Sequence, residues 1–433
     1  MADEEGNAQE PLEFSGCGRN GDDQNILSFS DITCAAFLIR NHVLRTPCTP
    51  CSFNSQKMEV FLKKEFMQAT GSFKERGGCY ALMTLNEEEK KNGVGTASLG
   101  NHSQSLSYHA RRQNVPCTVV MPEGAPLVKI EACKKFGAKV IIQGQNMTEA
   151  RAYAIKYCHE NGLKYINGYD DPAVIAGQGT IGLELMEDQP NLDAVVVPVG
   201  GGGLIAGIAL AVKTLNKNIK VIGVEPEKCA SFIEALKNGK PTPVPEEHTL
   251  ADGLAVAEVG ENAFKIASSL IDKMVVVSEE WISVAILRLL EKEKNVVEGA
   301  GAAGLAAILS GQLDEEFAGK KVAVILCGGN IDSNILGRCI EKSLVVDGRM
   351  LKFSTVVSDR PGGVSDLCKI LAGLGASVKH IEHERAWLTS ELFQVVITVT
   401  CETRDHEHVA KIKNALLKKY ESVIFADKLT LKL

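Results

Sequence analysis

The chain has 433 residues, 45% of them hydrophobic and 23% charged, which are the proportions of an ordinary globular protein with length for two or three domains. A formal net charge of -7 argues against a nucleic acid or an anionic membrane as partner, since neither is approached favourably by an acidic protein. No apolar run reaches the length of a bilayer span.

Residues 1–25 are acidic, polar and rich in Gly and Asn. We expect a disordered tail there, with neither the apolar core of a signal peptide nor the basic amphipathic character of a mitochondrial presequence. Thirteen cysteines without regular spacing read as reduced thiols rather than a disulfide framework, which points to the cytoplasm. The pair Cys48 and Cys51 has no second Cys-x-x-Cys to complete a metal site and reads as a surface turn.

From about 31 to 346, continuous apolar runs alternate with helical patterns, and strands are expected over 118–121, 139–142, 194–198, 220–225, 274–277 and 321–327. Runs that are apolar without alternation signal parallel strands buried on both faces, so the fold class is α/β. The charged stretch at 291–294 reads as a solvated helix face. A short polar connection over 344–351 precedes a change of pattern: strand 351–358, helix 363–374, strands 376–383 and 391–402, helix 406–420 and a final short strand. That βαββαβ order is ferredoxin-like. His380 and His383, three apart on one of its strands, lie on opposite faces and read as surface groups rather than metal ligands.

Four consecutive glycines, Gly200, Gly201, Gly202 and Gly203, follow the strand at 194–198 and lead into an apolar helix beginning at Leu204. Bare N–H groups at a helix N-terminus hold a phosphate. The Lys-Ser/Thr of a nucleoside-triphosphate loop is missing, whereas Gly201-x-Gly203-x-x-Ala206, with Glu225 closing the next strand, fits a dinucleotide loop as well. Upstream, Phe73-Lys74 starts a helix, and a lysine in a partly apolar pocket loses proton affinity and can form a Schiff base. The polar turn Ser98-Leu99-Gly100-Asn101-His102, ahead of a helix expected from Ser105, suits a carboxylate. Cys327-Gly328-Gly329 closes a further strand, and three small or polar turns at strand carboxyl ends imply one cleft.

The segments SFKERG, SLGNHSQS, DPAVIAGQGT, VPVGGGGLIAG and LCGGNID occur in the order and spacing of the fold-type II pyridoxal-phosphate enzymes. Over roughly 28–345 the chain resembles their threonine/serine dehydratases (L-threonine ammonia-lyases) and the related serine racemases. Asp359-Arg360-Pro361-Gly362 and the pattern from Ala376 to Arg385 resemble an ACT regulatory domain. The resemblance implies a two-subdomain catalytic domain over 26–346, its small subdomain at about 83–170, and an ACT domain over 350–433. It implies that Lys74 binds pyridoxal 5'-phosphate as a Schiff base and shuttles the α-proton, and that Phe73 packs on the ring. Asn101 would bond the 3'-oxygen, Gly200, Gly201, Gly202, Gly203 and Leu204 the phosphate, and Cys327 would face the pyridine nitrogen. Ser98, Leu99, Asn101 and His102 would grip the substrate carboxylate. Glu225, the carbonyl of Cys229 and Ser231 would bind a cation, K+ in preference to Mg2+, because one carboxylate with a neutral hydroxyl suits a monovalent ion.

The reaction so implied is α,β-elimination of L-threonine or L-serine to 2-oxobutanoate or pyruvate and ammonia. It would run in a homodimer or homotetramer whose ACT domain takes an amino-acid effector. The competing readings are a serine racemase with side elimination and a non-catalytic amino-acid sensor. Leu99 stands where the racemases carry a serine as second acid/base, and it cannot transfer a proton.

Overall fold

The computed structural model describes residues 26–52, 57–245, 247–385 and 393–426. The tail expected at 1–25 and the first two residues of the strand expected over 391–402 lie outside them. Helix α1 (Phe29–Ile39) opens on a reciprocal capping box between Ser28 and Asp31. Strands β1 (Cys48–Pro50) and β2 (Glu59–Lys63) follow, then helices α2 (Lys74–Met83) and α3 (Glu87–Asn92). The small subdomain is β3 (Val94–Ala97), α4 (Asn101–Arg112), β4 (Cys117–Met121), α5 (Leu127–Lys135), β5 (Lys139–Ile142), α6 (Met147–Glu160) and β6 (Lys164–Tyr165). Its strands pair in parallel in the order β5-β4-β3-β6 over a core that includes Val94, Leu106, Val119 and Met121.

The chain then completes the large sheet. Helix α7 (Pro172–Asp188) leads to β7 (Ala194–Pro198), α8 (Gly203–Leu215), β8 (Lys220–Pro226) and α9 (Ser231–Asn238). After these come α10 (Glu261–Ala267), β9 (Lys273–Val277), α11 (Glu279–Arg288), α12 (Gly299–Leu309) and β10 (Lys321–Ile325). The order is β1-β2-β10-β7-β8-β9, parallel except at β1. Strand β7 is buried at every position and β8 at all but its first, as unalternating apolar runs demand. The carboxyl ends of β3, β7 and β10 emit the turns at Ser98, Gly200 and Cys327, so the topology itself gathers them at sheet edges where ligands bind.

The chain divides into two compact units between Ile331 and Asp332. In the second, α13 (Ser333–Val346) precedes β11 (Met350–Ser358), α14 (Gly363–Gly373), β12 (Ser377–Glu384), β13 (Gln394–Glu402), α15 (His406–Lys419) and β14 (Val423–Phe425). The antiparallel order β12-β13-β11-β14 is the ferredoxin-like arrangement. Strands β11 and β13 bury alternate residues, among them Phe353 and Ile397, against Leu367 of α14 and Leu416 of α15.

Several expectations need correction. Cys48–Pro50 is a strand, not a surface turn, because it covers the free edge of β2, and Cys51 is buried beside it. The helix expected from Ser105 begins at Asn101, with Gly100 as its N-cap. The stretch 291–294 is no solvated helix face: Leu289–Glu293 is a π-helical turn, Glu293 accepts the Ser52 N–H at 2.6 Å, and Lys294 is left-handed at φ 58°. Strand β10 stops at Ile325, and the connection at 344–351 shrinks to three residues between Val346 and Met350. Among the described residues no helix is long and apolar enough to cross a membrane.

Candidate active site

The turn before α2 is sewn to the end of β10. Ser72 bridges Gly328, the Phe73 N–H donates to the Cys327 carbonyl at 2.9 Å, and the Gly329 N–H donates to Gly71 at 2.9 Å. Gly71 takes φ 79°, which L side chains rarely adopt, so the turn before the helix needs glycine. Lys74 is thereby the first residue of α2, and its carbonyl accepts from Ser105 Oγ at 2.7 Å. Its Nζ donates to the carbonyl of Gly168 rather than to a carboxylate and lies 5.1 Å from the centroid of the Phe73 ring. Burial pushes this amine down to about 8, against the opposing effect of the Cys327 thiol. Such a lysine has a usable neutral fraction near neutral pH, as a nucleophile or base requires.

The glycine run turns β7 into α8. Gly202, at φ 92°, is the N-cap of α8, and the first-turn N–H groups of a helix have no partners within it. The Gly201 carbonyl accepts the Gly260 N–H at 3.0 Å, which pins the loop. A Cβ on Gly201 would run into the Tyr169 ring and one on Gly203 into the Tyr169 carbonyl, while one on Gly202 would stand 3.1 Å from the Phe232 ring. Only backbone can lie here, and its N–H groups suit a phosphate. Tyr169, adjacent to the Gly168 carbonyl that holds Lys74, ties the loop to the amine.

At the end of β3, the Gly100 N–H donates to Ser98 Oγ at 3.2 Å, and Asn101 starts α4. Leu99 packs against the core of the small subdomain. His102 is buried and pushed down to about 3 by that burial and by Lys74; Nε2 lies 3.4 Å from the Ile166 carbonyl, and Nδ1 has no hydrogen-bond partner. Burial, and then Glu298, push the Cys327 thiol well above its ordinary range, so it is neutral.

Sequence reasoning missed Glu298, and it assigned Asn330, present in the LCGGNID segment, no part. Glu298 accepts from Asn101 Nδ2 at 2.7 Å and from the Asn330 N–H at 3.1 Å. Burial, reinforced by Asp252, raises its carboxyl to about 7. The available signal was a lone acid between apolar residues at 296–298 and the small-residue helix α12.

Glu225, Cys229 and Ser231 lie one layer behind the glycine loop, since Phe232 packs on Gly202. The two Glu225 oxygens accept the N–H groups of Phe232 and Ile233 at 2.7 and 3.0 Å, capping α9. Burial pushes Glu225 up to about 7, opposed by those two bonds. Ser231 Oγ is buried without a hydrogen-bond partner. Among the described residues no group of three or more His, Cys, Asp or Glu is placed to hold a metal ion.

Residues 39–328 match the family model for pyridoxal-phosphate dependent enzymes, and residues 353–419 match that for the ACT domain. The chain is 44% identical over 396 residues to an L-threonine ammonia-lyase of Thermotoga maritima, covering 91% of this chain and 98% of that one. Its fold is similar to a processed threonine deaminase isoform 2 from Solanum lycopersicum, with TM-score 0.70 and 35% identity over 73% of this chain and 93% of the other. It is also similar to a serine racemase from Dictyostelium discoideum, with TM-score 0.67 and 38% identity over 71% and 99% of the two chains.

Proposed function

The chain belongs to the pyridoxal-phosphate-dependent enzyme family and carries an ACT domain, and from that footing we propose that it is an L-threonine ammonia-lyase. It converts L-threonine to 2-oxobutanoate and ammonia, and L-serine to pyruvate and ammonia. The supporting relative is the L-threonine ammonia-lyase of Thermotoga maritima. The observation that carries the reading is Lys74, an amine lowered to about 8 between the Phe73 ring and the Gly168 carbonyl, with the Cys327 thiol nearby.

Pyridoxal phosphate fits these residues because the glycine cradle offers backbone N–H groups where a Cβ would strike Tyr169. When bound, it supplies a sink for the electron pair left at Cα when the α-proton departs. Gly200, Gly201, Gly202, Gly203 and Leu204 would hold the phosphate, Phe73 would cover the ring, and Asn101 would donate to the 3'-oxygen. Lys74 would hold the cofactor through Nζ, and the same atom, as a neutral amine, would take up the α-proton. Cys327, neutral, would face the pyridine nitrogen without the negative charge that would keep a proton there, an environment that would favour elimination.

Ser98, the Leu99 backbone, Asn101 and His102 take the substrate carboxylate. His102, neutral by burial, acts there as a hydrogen-bonding group and not as a cation. Glu225, the Cys229 carbonyl and Ser231 bind a monovalent cation, K+ in preference to Mg2+; the partnerless Ser231 hydroxyl beside a buried carboxylate supports this. The catalytic domain spans 26–346 and the regulatory domain 350–433, which binds a small amino acid. The enzyme works as a homodimer or homotetramer in the cytoplasm, where thiols such as these stay reduced.

The racemase reading is disfavoured by Leu99, which packs into the small-subdomain core and has no proton to give. The test is incubation of the purified protein with L-threonine and with L-serine, followed by keto-acid assay and chiral analysis. Keto acid without D-serine is expected. D-serine formed as fast as pyruvate would overturn the assignment.

A further inference from the structure

Glu298 is 5% exposed and occupies the N-cap of α12, where an acceptor side chain ordinarily bonds the N–H groups of its own helix. It makes no such bond. Oε1 accepts from Asn101 Nδ2 at 2.7 Å, and Oε2 accepts the Asn330 N–H at 3.1 Å. Asn330 Nδ2 donates in turn to Asn101 Oδ1 at 2.8 Å and to the Thr70 carbonyl at 2.8 Å. The Asn101 amide is therefore gripped at both ends: its oxygen is occupied by a donor and one Nδ2 hydrogen by a carboxylate. A second Nδ2 hydrogen remains to donate elsewhere.

The backbone leading to Glu298 is irregular. Helix α11 ends in the π-helical turn Leu289–Glu293, and Lys294 takes φ 58°, conformations that are costly and cluster at functional sites. Downstream, the Glu298 N–H donates to the Gly328 carbonyl at 3.1 Å, and the carboxylate lies so close to Gly328 that no Cβ fits there.

We propose that Glu298 is a positioning residue that fixes the Asn101 amide so that it presents an N–H, and not a carbonyl, to the bound cofactor. The proposal rests on the reading of Asn101 given above. A flipped amide would set a carbonyl against an electron-rich oxygen and alter the electronic state of the chromophore, which ordinary structural damage would not do selectively.

The experiment uses the full-length holoenzyme with pyridoxal phosphate as the chromophore. The ratio of visible to near-ultraviolet absorbance at fixed pH is recorded for wild type, Asn101→Ala, Glu298→Ala, Glu298→Gln and the Asn101→Ala/Glu298→Ala double variant. Should Glu298→Ala fail to fold, Glu298→Met, of similar length and without an acceptor, replaces it. Asn101→Ala and Glu298→Ala should each change the ratio about twofold or more, and the double variant should match Asn101→Ala alone, since both act through one amide. Glu298→Gln, which keeps an acceptor toward Asn101, should stay near wild type. A wild-type ratio in Glu298→Ala, or additive changes in the double variant, overturns the proposal while leaving Asn101 at the cofactor. A wild-type ratio in Asn101→Ala overturns it together with that assignment.

Discussion

Arg76 and Glu65 face each other as a two-point ion pair, Nε to Oε2 at 2.8 Å and Nη2 to Oε1 at 2.7 Å, and both are buried. The same guanidinium donates to Glu184 at 2.6 and 2.9 Å, and Glu184 also accepts from the buried Lys63 at 2.6 Å. Because Arg76 lies two positions beyond Lys74 in α2, this network anchors the helix that carries the reactive amine.

Removing Arg76 strands the buried carboxylate of Glu65 and the half-buried one of Glu184. Arg76→Ala should cost about 3–5 kcal/mol, read as a fall in the thermal midpoint. Arg76→Lys should recover only part, because an ammonium cannot make the two-point contact. Burial alone would raise the Glu65 carboxyl, but the Arg76 guanidinium outweighs it and holds Glu65 below its usual range. A depressed folded value means that this contribution is complete above the unfolded value of about 4.3 and is lost as pH falls through the folded one. Thermal midpoints measured down to acid pH check the sign: stability that rose on acidification would contradict it.

Cofactor capture should report the Lys74 amine directly. Only the neutral amine attacks, so the rate of reconstitution of apo-protein should climb about tenfold per pH unit below the folded value and level off above about 8. A rate still climbing through pH 10 would mean an ordinary, solvated lysine.

Gly203→Ala would drive a methyl group into the Tyr169 carbonyl, which is backbone and cannot swing aside. The apo-protein should fold, with its dissociation constant for pyridoxal phosphate raised about tenfold or more, the equivalent of one charge-assisted hydrogen bond. Gly239→Ala, whose Cβ would meet open space at φ 68°, is a control for backbone strain alone.

Much of this architecture was legible. Strands β5 and β7 lie at their expected bounds because unalternating apolar runs ending in glycine or polar turns leave little ambiguity. Strands β1, β2 and β6 escaped, since their strand character comes from pairing with distant segments, as Val60 of β2 does with Val322. In the site, Ser98, the glycine loop and Cys327 stood in motifs at strand ends, and Lys74 in a motif at a helix start. Glu298 did not: its part depends on a π-helical turn and a contact to Asn101 across the sequence, neither of which leaves a local pattern.

The ACT domain should couple an amino acid to catalysis with about 1–3 kcal/mol. Truncation after Asp347, which keeps α13, should leave keto-acid formation intact and abolish its response to amino acids. Keto-acid assays of both proteins, with amino acids titrated in turn, decide the matter. Equal responses would make the domain a structural appendage.

The most direct test of the central claim is the product balance from L-threonine in wild type and in Lys74→Ala, both supplied with pyridoxal phosphate. Wild type should release 2-oxobutanoate and ammonia in equal amounts, and a folded Lys74→Ala should do so at a rate lower by about 10³-fold or more. Comparable keto-acid release from the folded variant would contradict that claim.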